Sequence, residues 1–257
     1  MSIGNSDREF FYSLYSKLYK SKIEEILSVK LGEIELDKNI EGRKVDIYSV
    51  TERGSEVFIE LQLSQSDNVH LAQILNIIDN DNTGNCIIVW GALGFKDYML
   101  DDIEAQIKSL NKNIRFIALR LNEKILNYLQ TLNNMFITEV IDNLRILNEV
   151  DNHFEIIENF YRLQDKNNTT TYLKKVEEPL DLNNKQNVMK YLFSELRKQI
   201  YYYPSIHRDK KLDNNVIVLA GGKAEISYFI GVSRKNMLFV EIRFGELVKD
   251  ILSLAET

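Results

Sequence analysis

The repeat of the apolar residues changes period within the first 121 positions, and that change fixes the fold class. EIELDKNI (33–40), KVDIYSV (44–50) and EVFIELQL (56–63) read as three strands. EGR (41–43) and TERGS (51–55, with Gly54) are the turns between them. The period then switches from two to 3.6, as Leu71, Ile74, Leu75 and Ile78 form a helical stripe that ends at DNDNTGN (79–85). NCIIVWGAL (85–93) is continuously apolar, as a strand buried on both faces is. Phe95, Met99, Ile103, Ile107 and Leu110 mark another helix, and IRFIALRL (114–121) another strand. Ahead of all this, residues 6–28 read as one helix. Ser6 and Glu9 form an S-x-x-E capping box, Phe10, Leu14, Leu18, Ile23, Ile26 and Leu27 line one face, and Gly32 is the stop. The order α-β-β-β-α-β-α-β predicts an α/β domain over 1–121, a mixed sheet flanked by helices.

Residues 122–165 read as a helical connector, with Ile125, Leu129, Leu132, Phe136, Val140 and Leu144 in near-heptad steps, and could form a dimer surface. DKNNTTT (165–171), Pro179 and DLNNK (181–185) suit a linker. A small α+β domain then occupies 166–257. Val188, Tyr191, Leu192, Leu196 and Ile200 predict a helix. NVIVLAG (215–221), AEISYFIGV (224–232) and MLFVEIRF (237–244) predict an antiparallel meander with turns at Gly221-Gly222 and SRKN (233–236), and 246–254 predicts a short final helix.

Composition bounds the function classes. The 257 residues are 44% hydrophobic and 27% charged, ordinary for a globular protein with a sizeable core. No apolar run is long enough to span a bilayer, and MSIGNSDREF has neither the basic nor the apolar part of a secretory leader. The single cysteine, Cys86, lies in the apolar run CIIVW, as expected of a core residue in a reduced, cytoplasmic protein. A formal net charge of −6 argues against an extended phosphate-binding surface.

Against that background, three polar side chains stand out inside the strands. Asp46 interrupts KVDIYSV, and Glu60 and Gln62 share one face of EVFIELQL. A buried carboxylate is costly unless it is paired, hydrogen-bonded or bound to a metal. Neighbouring strands can bring Asp46 beside Glu60, and two hard oxygen ligands suit Mg²⁺ (or Mn²⁺). Gln62 could orient a water or hold a phosphate oxygen. Alternation alone also accounts for FIELQL as a half-exposed strand.

These residues resemble the PD-(D/E)XK nuclease superfamily, in which an Asp on one strand is followed by (Asp/Glu)-x-Lys on the next. VDIYSV…FIELQLSQSDNVHLAQIL is similar, more narrowly, to restriction-like bacterial proteins with an E-x-Q-L segment and a helix beginning H-L-x-Q. The matching positions are Glu60, Gln62, Leu63, His70, Leu71 and Gln73. In some of those proteins a small uncharacterised α/β domain follows, which 186–244 resembles more loosely. The resemblance implies a restriction-endonuclease-like fold and a Mg²⁺-dependent DNA endonuclease of restriction or defence type, with Asp46 and Glu60 as metal ligands and Gln62 as third catalytic residue. This chain departs from the superfamily by carrying Gln62 where the lysine belongs. It also has Ser64 and Gln65 where the narrower relatives often carry a lysine. A nuclease-like fold that only binds DNA or a protein is therefore the second reading. The third is a structural homodimer.

Other residues enter as candidates. Glu24 or Glu25 could complete the site from the first helix, or simply end that helix in solvent. His70 and Gln73 lie one turn apart on the helix after the catalytic strand and could face substrate. Lys190, Arg197, Lys198, Arg208, Lys210 and Lys211 interleave with Tyr201, Tyr202 and Tyr203, a pattern that suits base stacking and phosphate contact. The same tyrosines could instead pack on the meander. His153 and His207 have no neighbours at zinc-ligand spacing, and GGK (221–223) lacks the rest of a phosphate loop.

Overall fold

The computed structural model describes residues 7–40, 42–80, 84–162, 181, 183–208, 216–220, 226–233 and 237–245. Ser6, Lys210, Lys211, the Gly221-Gly222 turn and the helix expected at 246–254 lie outside the described residues, as do most of the linker and the SRKN turn. The chain divides into two compact units, 1–135 with 143–175, and 136–142 with 176–257.

The first unit is built on a six-stranded sheet in the order β1 (Glu35–Ile40), β2 (Arg43–Val50), β3 (Glu56–Leu61), β4 (Asn85–Ala92), β5 (Asn113–Leu121), β6 (Phe154–Arg162). The β1–β2, β2–β3 and β5–β6 pairs are antiparallel, and β3–β4 and β4–β5 are parallel. The parallel pairs require crossovers, supplied by α3 (Asn68–Asn80) and α4 (Asp97–Ser109). These two helices bury Leu71, Ile74, Ile78, Met99, Ile103 and Ile107 against one sheet face, which presents Phe58, Ile88, Trp90 and Phe116. The alternate residues, Ile59 and Val89 among them, point the other way and meet Ile23, Ile26 and Leu27 of the first helical segment. Coverage on both faces explains why β3 and β4 are apolar almost throughout, and why the polar exceptions in β3 are informative.

Two expectations are corrected. The first helix is broken at Tyr19 into α1 (Arg8–Leu18) and α2 (Lys20–Leu27), and α2 ends on Ser28 in the left-handed region at φ 55°. Gly32 is not the stop. Its N–H donates to the Val50 carbonyl, and a Cβ there would lie 2.9 Å from that oxygen. The second correction concerns 122–165. Ile125, Leu129 and Leu132 do bury one face of α5 (Lys124–Asn133), but α6 spans only Val140–Asn143 and a 3-10 turn spans Leu144–Glu149. Phe136 is 71% exposed, so the heptad row is not one continuous face. Phe154–Arg162 is then a strand. Its apolar residues at 154, 156, 157, 160 and 161 fit neither period cleanly, and the open edge of β5 decides by pairing with it.

The second unit packs α7 (Lys185–Gln199) on a sheet ordered β7 (Val216–Ala220), β8 (Ile226–Val232), β9 (Leu238–Phe244). All its strand pairs are antiparallel, as the meander requires. Met189 and Phe193 meet Ile217, Leu219, Ile230 and Val232 in its core.

Phe160 ties β6 to the core, its ring stacked on Phe116 with centroids 5.9 Å apart. Phe160→Ala should lower unfolding free energy in urea by about 1–2 kcal/mol, the scale for a partly buried large-to-small change. No loss would place this segment outside the core.

Candidate active site

The site begins with the β2–β3 hairpin. Its turn is closed by the Thr51 N–H donating to the Ser55 carbonyl and the Gly54 N–H to the Thr51 carbonyl, with Gly54 at φ 83°, a value glycine reaches without strain. The register that follows sets Ile47 against Ile59. One step further along, Asp46 faces Glu60. Asp46 Oδ2 accepts the Leu61 N–H at 2.8 Å, so the half-buried carboxylate caps the end of the β3 backbone. Glu60 is 4% exposed. The hairpin thus brings two of the residues singled out in the sequence together.

Their electrostatics follow from that enclosure. Burial raises the Asp46 carboxyl from 3.8 to about 6, against the opposing Leu61 N–H and Lys44, with the charges of Glu9 and Asp37 adding to the rise. Burial likewise holds Glu60 well above the ordinary carboxylate range. The charge of Asp46 and a hydrogen bond between the two carboxyls add to it. Two like charges at one buried point cost free energy when both are ionised. A divalent cation would offset that cost.

Two further acidic residues frame the pair. Glu9 is the first-helix acid that reaches the site. Its Oε1 accepts the Leu63 N–H at 3.2 Å. Asp37 lies in β1 at the step opposite Asp46, between the Leu36–Ile47 and Lys38–Val45 pairs, with a left-handed φ of 56°. Its Oδ2 is 3.0 Å from Lys44 Nζ. Neither was singled out in the sequence. Glu9 read as a local capping residue, and nothing in a linear pattern reports the position of α1 against the end of β3.

Glu24 and Glu25 are not brought to Asp46. Glu24 accepts from Lys30 Nζ at 2.9 Å and the Leu31 N–H at 2.9 Å. Both line a separate cleft of about 740 Å³ shared with Arg53, Arg115 and Tyr161, at the starts of β3, β4 and β5. Glu60 and Gln62 lie at the other ends of those strands.

Gln62 extends β3, its N–H donating to the Gly91 carbonyl at 2.7 Å. It is 1% exposed, and its Oε1 has no hydrogen-bond partner among the described residues. Trp90, the register neighbour of Glu60 on β4, also keeps a buried Nε1 without a partner. His70 Nδ1 is 3.0 Å from Asp67 Oδ1, and Gln73 has a buried Oε1 without a partner. His153 donates from Nε2 to the Leu147 carbonyl and accepts the Tyr12 hydroxyl on Nδ1, which fixes it as a structural residue.

On α7 and beyond, two of the expected cations are engaged locally. Arg197 donates to the Ile206 and Arg208 carbonyls and lies over the Phe193 ring, and Lys198 pairs with Glu195. Tyr203 packs against the core, whereas Lys190, Tyr201 and Tyr202 are exposed.

Among the described residues, no three His, Cys, Asp or Glu side chains group closely enough to form a three-ligand metal cage. Mg²⁺ needs no such cage, since it keeps several waters and takes one or two carboxylates. The donor chemistry of Asp46 and Glu60 therefore fits it. No helix among the described residues is long and apolar enough to cross a membrane.

No protein-family model matches the chain, and no curated protein matches it. Among solved structures it is similar to a repair endonuclease from Pyrococcus abyssi. The match has 18% identity and a TM-score of 0.30, over 35% of this chain and 42% of that one. The chain thus spans less than half the length of that protein.

The carboxyl pair has a pH signature. Carboxyls with raised folded values keep protons that the unfolded chain releases. Their stabilising contribution is present in acid and is lost as pH rises through the folded values. Glu60→Gln removes the repulsion without removing the bulk. In EDTA it should stabilise the protein by about 1–3 kcal/mol at pH 8 and by under about 1 kcal/mol at pH 5. Thermal melts at both pH values measure this, and equal shifts would contradict the assigned coupling.

Proposed function

We propose that the first unit is a Mg²⁺-dependent (or Mn²⁺-dependent) DNA endonuclease, with Asp46 and Glu60 holding the ion. The observation that carries this reading is the Asp46–Glu60 pair, two facing carboxyls at the end of a hairpin, both raised by burial and Glu60 further by the charge of Asp46. When bound, the ion would polarise a phosphoryl oxygen and acidify a water. The reaction is hydrolysis: the water's OH joins phosphorus, the phosphorus–oxygen bond to the leaving sugar breaks, and that oxygen takes the remaining proton. Asp46, anchored on the Leu61 N–H, fixes one ligand oxygen against the rigid sheet, and Glu60 supplies the second.

The restriction or defence role rests on the similarity of residues 45–75 to restriction-like proteins. A homodimer would let such an enzyme cut both strands. The second unit is the proposed DNA-recognition module, through exposed Tyr201, Tyr202 and Lys190, with Lys210 and Lys211 nearby in sequence. The second reading, a nuclease-like fold that binds DNA or a protein without cutting, is favoured by the position of Gln62, where the superfamily has a lysine.

Plasmid cleavage in Mg²⁺ or Mn²⁺ separates these readings. Wild type should nick or cut, and Asp46→Ala and Glu60→Ala should each reduce the rate at least ~100-fold, the scale for losing an essential ligand or charge. Equal rates in all three would remove this site from the chemistry. No Mn²⁺ binding by calorimetry alongside retained DNA binding would support the second reading.

A further inference from the structure

Gln62 is held in a way that leaves only one of its atoms available. Its Nε2 has two hydrogens and lies near three acceptors: Gln65 carbonyl oxygen at 2.7 Å, Asp67 Oδ2 at 2.7 Å and Ser64 Oγ at 3.0 Å. Turning the amide over would set its oxygen against a carbonyl and a carboxylate at those distances, so the orientation is locked. The acceptors are themselves fixed. The Ser66 N–H donates to the Gly94 carbonyl and the Leu93 N–H to the Ser64 carbonyl, tying this loop to the strand end of β4. Asp67 is held on its second oxygen, where Oδ1 accepts the Val69 and His70 N–H groups, each at 2.9 Å, and lies 3.0 Å from His70 Nδ1.

What remains is Oε1, buried and without a partner among the described residues, two residues along the strand from Glu60. A buried acceptor left open in this way calls for a donor that the described residues do not provide. A phosphate oxygen cannot fill it, because phosphate only accepts. A water can. We infer that Gln62 acts as a hydrogen-bond acceptor that orients a water beside Glu60, and that Asp67 is the positioning residue that locks the amide in that orientation. This rests on the nuclease reading above and narrows it. Gln62 does not take over the phosphate-neutralising role of a lysine, because its donors are consumed inside the protein.

Asp67 also caps α3, so the test must separate capping from positioning. Asp67→Ser keeps a good cap but is too short to hold the Gln62 amide. The full chain would be assayed on plasmid DNA with Mn²⁺, together with Gln62→Met and the double variant. The expected result is a kcat about 10–100-fold lower for Asp67→Ser, the scale for losing an outer support, with KM for DNA and the melting temperature little changed. In the Gln62→Met background, Asp67→Ser should then change kcat less than about twofold, because the two act as one unit. A readout independent of turnover is the Gln62 side-chain amide in the metal-free protein. Its protons should be protected from exchange in wild type and unprotected in Asp67→Ser. Ion-dependent cleavage with additive effects, or an Asp67→Ser variant as fast as wild type, overturns the inference and leaves the Asp46–Glu60 site standing. Loss of ion-dependent cleavage in wild type itself overturns both.

Discussion

The Leu61 N–H bond to Asp46 is the contact on which the site depends. It satisfies the backbone at the end of β3, where the strand gives way to the loop carrying Gln65 and Asp67. It also pins a carboxylate beside Glu60, where both charges are unfavourable. Backbone satisfaction and charge repulsion thus meet in one side chain. Replacing Asp46 by an apolar residue would relieve the second and orphan the first. The hairpin accommodates this because its geometry is set elsewhere, by the Gly54 turn and by β4 packed along the other edge of β3.

The loop after β3 carries a related logic. Gln62 is a strand residue by its backbone and a loop residue by its side chain, whose amide nitrogen binds the segment that follows. The polarity that looks misplaced in FIELQL is the means by which strand, loop and α3 are joined. One donor group organises three acceptors, and the carbonyl is left over as a consequence.

The parts of this arrangement that could be read from sequence are those fixed by local spacing. Glu60 and Gln62 are two apart, and a short turn sets the register that delivers Asp46. Alternation identified β1 to β3, a continuous apolar run identified β4, and the switch of period identified α3 and α4. What escaped depends on three-dimensional packing. Glu9 joins the site because α1 lies across the end of β3, whereas Glu24 and Glu25, on the continuation of the same helical stretch, end up at the opposite end of the sheet. Asp67 reads as an ordinary residue of a polar loop until its second oxygen is seen against Gln62. Phe154–Arg162 carries an ambiguous pattern, and only the demand of β5 for a partner makes it a strand.

The left-handed step at Asp37 has a consequence beyond the site. β1 is an outer strand of the sheet, and a straight outer strand offers its row of backbone groups to any other chain. A residue at φ 56° in its middle departs from the extended backbone that such pairing needs, and Lys38 beside it adds charge. The same backbone step that sets an acidic side chain near Glu60 therefore makes this border of the sheet a poor template for pairing with a second molecule. One residue thus contributes both to the shape of this sheet border and to the electrostatics of the acidic cluster, so a substitution at Asp37 would touch both.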